Sequence, residues 1–360
     1  MPRRVGRATV LVGAAVVVAL VAAGIVVGWR ALSASAYQQA LGTMPADTLR
    51  ASFTDWAAVR ARLGGGPGSD AGRGATGDFL DRAYDADLTA TSALAGSVGA
   101  MQEQFGFSPL TARWEVFGQA RDGAVVALRL PDDADYDGIE ATLRTLGYDA
   151  PADGPGSGGV WRGSTDLTAR IDGSLTPVMD NVVVLPDEHL VLLSDDAGYA
   201  SSSADVVTGD ADSLIHSGEV ADLAGTVAEP VTALLWASDF ACEDLNMASA
   251  SSEDQALAAR LVQRAGGVDP LSGMLLARTG PRKAVVALEF ADGEQARENL
   301  RPRTRLATGE AVGQGGLFTD RFRVTSAETQ GSTVVLHLRV APDEALVSDL
   351  ARGPVLFAAC

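Results

Sequence analysis

The sequence predicts an α+β protein: an N-terminal transmembrane helix followed by two tandem repeated lobes, each a mainly antiparallel sheet with helices on one face. Three observations carry this expectation. Residues Ala124-Val125-Val126-Ala127-Leu128 return as Ala284-Val285-Val286-Ala287-Leu288, 160 positions later. A Pro-Leu pair precedes each copy, Pro109-Leu110 in one and Pro270-Leu271 in the other. Around both copies the expected elements run strand–helix–strand–strand–helix–strand–strand–helix, an order that suits neighbouring antiparallel strands with helices segregated to one side.

The chain opens with Arg3, Arg4 and Arg7, then an uncharged apolar run from Ala8 to Trp29. At about 1.5 Å of rise per residue, roughly 20 residues cross the hydrocarbon core, so this run is long enough to span. The arginines before it, with only Arg30 directly after, place residues 1–7 in the cytoplasm and the bulk of the chain outside. Residues 8–29 are then a single-pass anchor in the lipid bilayer of the cell membrane, and residues 30–44 a juxtamembrane linker. The competing reading is a cleaved signal peptide ending near Ala34-Ser35-Ala36, and it exports residues 37–360 equally.

Two lobes follow, 45–207 and 208–360. In the first, Thr48–Phe53 reads as a strand, Asp78–Gln104 as a helix, and Ala112–Gly118 with Ala124–Leu130 as a hairpin. Tyr136–Leu146 is the next helix, stopped by Gly147. A strand pair around Pro186-Asp187-Glu188 and a helix over Ala197–Val207 complete that lobe. The second lobe repeats the order with Val231–Trp236, Glu253–Ala265, Gly273–Arg278, Ala284–Phe290, a helix Gly293–Leu300 broken at Pro302, paired strands near 321–340, and Pro342–Leu350. Val355–Ala358 reads as a closing strand. The Gly-rich stretches Gly64–Gly77 and Asp149–Gly159 read as loops.

Cys242 and Cys360 are an even count in an oxidising compartment, so they are expected to pair. The bond would close a loop worth roughly 4–5 kcal/mol in the chain-entropy model and make the closing strand a neighbour of Val231–Trp236. Of 28 Lys+Arg, four arginines lie at or before Arg30, which leaves 24 against 46 Asp+Glu, a net of −22 beyond the membrane. Such a surface repels nucleic acid and anionic head groups.

Motifs for chemistry are sparse. Asp133, Asp135 and Asp137 before Gly138 match the opening of a calcium loop, where alternate oxygens converge on one cation. The twelfth position is Arg144 in place of a bidentate Glu, so the preferred reading is an acidic helix start. His189, His216 and His337 show no metal-ligand spacing, Gly64–Ser69 lacks the Lys of a phosphate loop, and no Gly-x-Ser-x-Gly occurs. The carboxylate pairs Asp195-Asp196 and Glu243-Asp244 read as helix starts. No cofactor is expected.

Pro45-Ala46-Asp47-Thr48-Leu49 leading into a strand resembles membrane-anchored exported proteins of bacteria, actinobacteria among them, whose function is undefined; Ser194-Asp195-Asp196 is similar too. The resemblance covers about a fifth of the chain. It implies an envelope protein and no catalytic residues. The expected function is therefore a non-catalytic binding or scaffold role toward an envelope protein, lipid or glycan. The alternative is an envelope hydrolase using Asp/Glu as acid and base.

Overall fold

The computed structural model describes residues 34–68, 72–351 and 353–360. The expected tail 1–7 and anchor 8–29 lie outside the described residues, and among those described no helix is long and apolar enough to cross a membrane. The fold is a mixed α+β architecture around one large antiparallel sheet.

Eleven strands form that sheet: β1 (Arg50–Thr54), β2 (Trp114–Gln119), β3 (Ala124–Arg129), β4 (Val160–Arg162), β5 (Asn181–Leu185), β6 (Leu190–Ser194), β7 (Thr232–Ala237), β8 (Gly273–Gly280), β9 (Lys283–Glu289), β10 (Phe322–Gln330) and β11 (Thr333–Val340). Their order is β10-β11-β9-β8-β7-β1-β2-β3-β6-β5-β4. The sheet is therefore continuous where two separate sheets were expected. The joint is β1 with β7, paired antiparallel from Arg50 opposite Trp236 to Thr54 opposite Thr232. Outward from that joint, β1-β2-β3-β6-β5 runs one way and β7-β8-β9-β11-β10 the other.

Helices cover both faces, where one was expected. Strand side chains alternate sides, and in β5, β6 and β7 every residue is buried, so neither side is left to water. One face packs as a single apolar layer across the whole sheet, including Phe53, Val116, Val125, Ala127, Leu235, Leu275, Val285 and Ala287. The opposite face is divided. Val126 and Leu128 pack under the helix Tyr136–Leu146, while Val286 and Leu288 pack under Gly293–Leu306. The two Ala-Val-Val-Ala-Leu runs thus sit in the third strand from the joint on each side, with their alternating residues on matching faces.

Several boundaries differ from expectation, each for a local reason. The stretch 30–44 is not a free linker where it is described. Ser35 caps a helix Ala36–Leu41 whose Tyr37, Ala40 and Leu41 are buried against the sheet, and Met44 follows them into the core. The expected helix Asp78–Gln104 breaks into Arg73–Asp85, a loop, and Val98–Gln104. Its apolar stripe belongs to two clusters: Leu88 joins Trp56 and Phe79, whereas Leu94 joins Phe105 and Phe107. Asp87, at φ +55°, makes the turn between them. The first Gly-rich loop is also shorter than expected, because this helix already starts at Arg73.

The helix at Gly293 continues through Pro302 to Leu306. Proline forfeits one intrahelical bond there. The next residue, Arg303, is fully buried and donates to the carbonyls of Phe357, Ala359 and Asp269 with its ring-facing side over Phe290, which holds the helix in place. The expected closing strand Val355–Ala358 is instead a short 3-10 turn over Leu356–Ala358. Its backbone is taken by Arg303 and by Leu245, whose carbonyl accepts from Val355 N at 3.0 Å. Cys242 and Cys360 are joined by a disulfide with Cα atoms 5.6 Å apart, yet Cys242 lies in the helix Phe240–Leu245, so the bond ties tail to helix rather than strand to strand. The helix expected over Pro342–Leu350 is confined to Leu346–Leu350. Sequence reading also passed over β4 and the helices Thr165–Ile171 and Gly218–Gly225.

Candidate functional site

The joint between β1 and β7 is where the divided face of the sheet turns polar. Residues directly opposite in a ladder share a face, so Arg50, Ser52 and Thr54 of β1 point the same way as Leu234 and Trp236 of β7 and as Glu115 and Phe117 of β2. Arg278 of β8, opposite Thr232, joins them. This strip is roofed by the loop after Arg73–Asp85 from one side and by residues 347–351 from the other.

Several polar groups in the strip are held, while among the described residues Thr232 Oγ1 and Arg278 Nε have no hydrogen-bond partner. Thr54 and Thr91 share a hydrogen bond of 2.7 Å. Arg50 lies 5.4 Å from the Trp236 ring and donates from Nη2 to the Ala351 carbonyl at 3.2 Å. Burial lowers its pKa, opposed by the nearby Asp244 carboxylate, which accepts from Trp236 Nε1 at 2.6 Å. Asp87 accepts from Arg278 Nη1 at 3.1 Å and from Val347 N, Ser348 N and Ser348 Oγ.

Glu115 is fully buried and saturated. Its Oε2 accepts from Trp56 Nε1 at 2.9 Å and Ser92 Oγ at 2.8 Å; its Oε1 accepts from Ala93 N at 2.7 Å and Leu94 N at 3.3 Å. Burial raises its pKa, and the four donors oppose that rise. A carboxyl raised in the folded state contributes stability present below the ordinary glutamate value of 4.5 and lost as pH rises through the raised value. Replacing it by glutamine should remove this dependence. Denaturant midpoints of Glu115→Gln and the parent, compared between pH 4 and 7, should converge toward the higher pH. At acid pH the variant should be weaker by about 1–3 kcal/mol, because the amide presents a donor to Trp56 Nε1. Parallel pH profiles would show that Glu115 does not titrate as described.

Two grooves flank the Asp87–Arg278 contact. One, about 600 Å³, is lined by Tyr84, Thr89, Gln314, Arg321, Ser348 and Asp349, with Tyr84 70% exposed at its rim. The other, about 390 Å³, is lined by Arg62, Asp85, Arg282, Asp343 and Glu344 among others. The arrangement offers an aromatic surface with charges of both signs. The three carboxyls that burial raises, Asp55, Glu115 and Glu289, line neither groove.

The residues singled out from sequence fall elsewhere. Asp133, Asp135 and Asp137 do not converge. Asp135 caps the helix Tyr136–Leu146 by accepting from Gly138 N at 2.9 Å, and among the described residues no group of three His, Cys, Asp or Glu could hold a metal ion. Asp196 caps Ala197–Thr208, and Asp195 accepts from Ala124 N. Glu243 lies 3.3 Å from Arg121. The histidines are apart: His189 in the β5–β6 turn at φ +53°, His216 near Asp212, and His337 on β11 near Glu328. Asp87, Glu115 and Arg278 were missed, although one pattern pointed to two of them. Glu115 and Arg278 are polar residues at inward positions of otherwise apolar strands, as in Met274, Leu276, Arg278. Compared with known proteins, the chain matches no family model, no curated protein and no solved structure.

Proposed function

We propose that this chain is a single-pass membrane protein whose exported domain binds or scaffolds a partner in the cell envelope without catalysing a reaction. The single observation that supports it most is the Cys242–Cys360 disulfide, a bond that persists in oxidising compartments, behind an apolar run long enough to anchor the chain. The acidic balance fits an exported surface that stays soluble. Within this reading residues 45–207 and 208–360 are tandem copies of one unit. What supports that is the strand order repeated outward from β1 and β7, with the Ala-Val-Val-Ala-Leu runs at matching ladder positions. The copies differ at the joint. Where β2 carries Glu115 one residue before Val116, β8 carries Met274 before Leu275, so the polar cage belongs to one copy alone. The groove rimmed by Tyr84, beside the joint, is where the partner sits.

A photo-crosslinking residue at position 84 of the full chain, expressed in membranes, should give one discrete adduct with an envelope protein, lipid or glycan. Arg321→Ala should lower its yield several-fold. A position 84 adduct no more abundant than one from an exposed site on the helix Ser252–Ala265 would remove the groove from the proposal. Thiol reagents confined to the outside that never reach the reduced Cys242–Cys360 pair in intact cells would remove the topology.

A further inference from the structure

The two edges of the sheet differ. β4 has three residues, and Arg162 is bridged to Asp149, so that edge offers an incoming chain few free backbone groups. β10 runs nine residues, and among the described residues no strand lies beyond it. On one of its faces Arg323, Ser326 and Glu328 are exposed; on the other Val324 and Ala327 are half-buried, with the register shift falling between Val324 and Ser326. Arg323 stands directly opposite Arg339 of β11, and among the described residues neither joins an ion pair. Like charges facing across a ladder are unfavourable, so this edge is short of an anion.

We propose that β10 pairs antiparallel with β10 of a second copy of this chain, joining two sheets edge to edge. Side-chain parity restricts the register, because a one-residue slip would put each apolar side chain against a polar face. One permitted register sets Ser326 against Ser326 of the second copy. With Thr325 bulged out of both strands, as it is in the pairing with β11, this places Val324 opposite the second copy's Ala327, and Arg323 opposite its Glu328, twice over. Glu328 supplies the missing anion; it lies 3.8 Å from His337 and its side chain is 53% exposed. The groove of about 730 Å³ beside this edge, lined by Glu298, Leu300, Arg301, Pro302, Thr304 and Ala327 among others, receives the side chains that the added strand presents there. The two-fold closes on itself, so association ends at the dimer.

The experiment uses the full chain in membranes under mild oxidation. Ser326→Cys should yield a reductant-sensitive dimer, whereas Gln330→Cys, beyond the paired stretch, should stay monomeric. Adding Arg323→Glu to Ser326→Cys should cut the dimer at least tenfold, and adding both Arg323→Glu and Glu328→Arg should restore it. Light scattering on the detergent-purified parent should give two copies per particle, and on Arg323→Glu one copy with an unchanged melting temperature. Equal crosslinking at 326 and 330, or a monomeric parent at every concentration, overturns the pairing. Failure of the charge reversal to restore the dimer overturns the register.

Discussion

Replacing Asp87 with alanine should destabilise the protein by about 3–5 kcal/mol, the largest loss expected from any single side chain on the polar strip. Asp87 is 2% exposed and its ion-pair partner Arg278 has a side chain 5% exposed. One carboxylate joins three parts of the chain. It closes the turn after Arg73–Asp85, neutralises a guanidinium on β8, and accepts from Val347 N at 2.8 Å and Ser348 N at 3.2 Å, the free donors at the start of Leu346–Leu350. Without it Arg278 keeps its bond to the Pro281 carbonyl, but its charge stays buried and unanswered, and its Nε already lacks a partner. Backbone strain is a separate contribution, since alanine at φ +55° costs about 1 kcal/mol more than glycine. Asp87→Gly should therefore recover only that fraction, while Asp87→Asn with Arg278→Met should recover most of the loss by removing both charges. Urea midpoints at pH 7 measure all three. A loss below about 1 kcal/mol for Asp87→Ala would mean that the buried pair does not hold the halves together.

The legibility of this arrangement in sequence is uneven, for physical reasons. Strands and their hairpins were readable because Ala124–Leu128 and Ala284–Leu288 are apolar at every position and bounded by turn residues, which limits them to a sheet covered on both sides. The Tyr136–Leu146 helix matched residue for residue, since Asp135 and Gly147 mark its ends chemically. Periodicity misled between Asp78 and Gln104. A stripe at three- and four-residue spacing cannot reveal that Leu88 and Leu94 enter different clusters, nor that Asp87 leaves the helix to meet a residue 191 positions away. The joint itself was invisible. Pairing of β1 with β7 joins segments far apart in the chain, and no local pattern encodes that. The polar strip follows from it, because Arg50, Ser52 and Thr54 look like a surface-facing row until a second strand and two covering segments are placed against them.

Substituting serine for Cys242 or Cys360 should lower stability by about 2–5 kcal/mol, against about 5 kcal/mol from chain entropy for a sequence separation of 118. The tail is fastened by more than this bond. Phe357 is fully buried, 5.0 Å from Phe318; Pro354 O accepts from Gln314 Nε2 at 2.8 Å; and Arg303 donates to Phe357 and Ala359 carbonyls. Burial lowers the Arg303 pKa to about 9, which leaves it cationic at neutral pH. The serine variants should therefore keep a parental near-ultraviolet spectrum in the absence of denaturant while their midpoint falls, because the effect lies mainly in the freed unfolded chain. The two single variants and the double should be equally unstable, and reductant should bring the parent to their level. Arg303→Met should behave in the opposite way. It leaves two buried carbonyls without donors and should loosen the tail in the folded state, seen as faster amide exchange at Val355 and Ala358 with the disulfide intact. If reductant leaves the parent's midpoint where it was, the unfolded chain gains no freedom from the cut, and Arg303 with the Phe357 cluster carries the whole attachment of the tail.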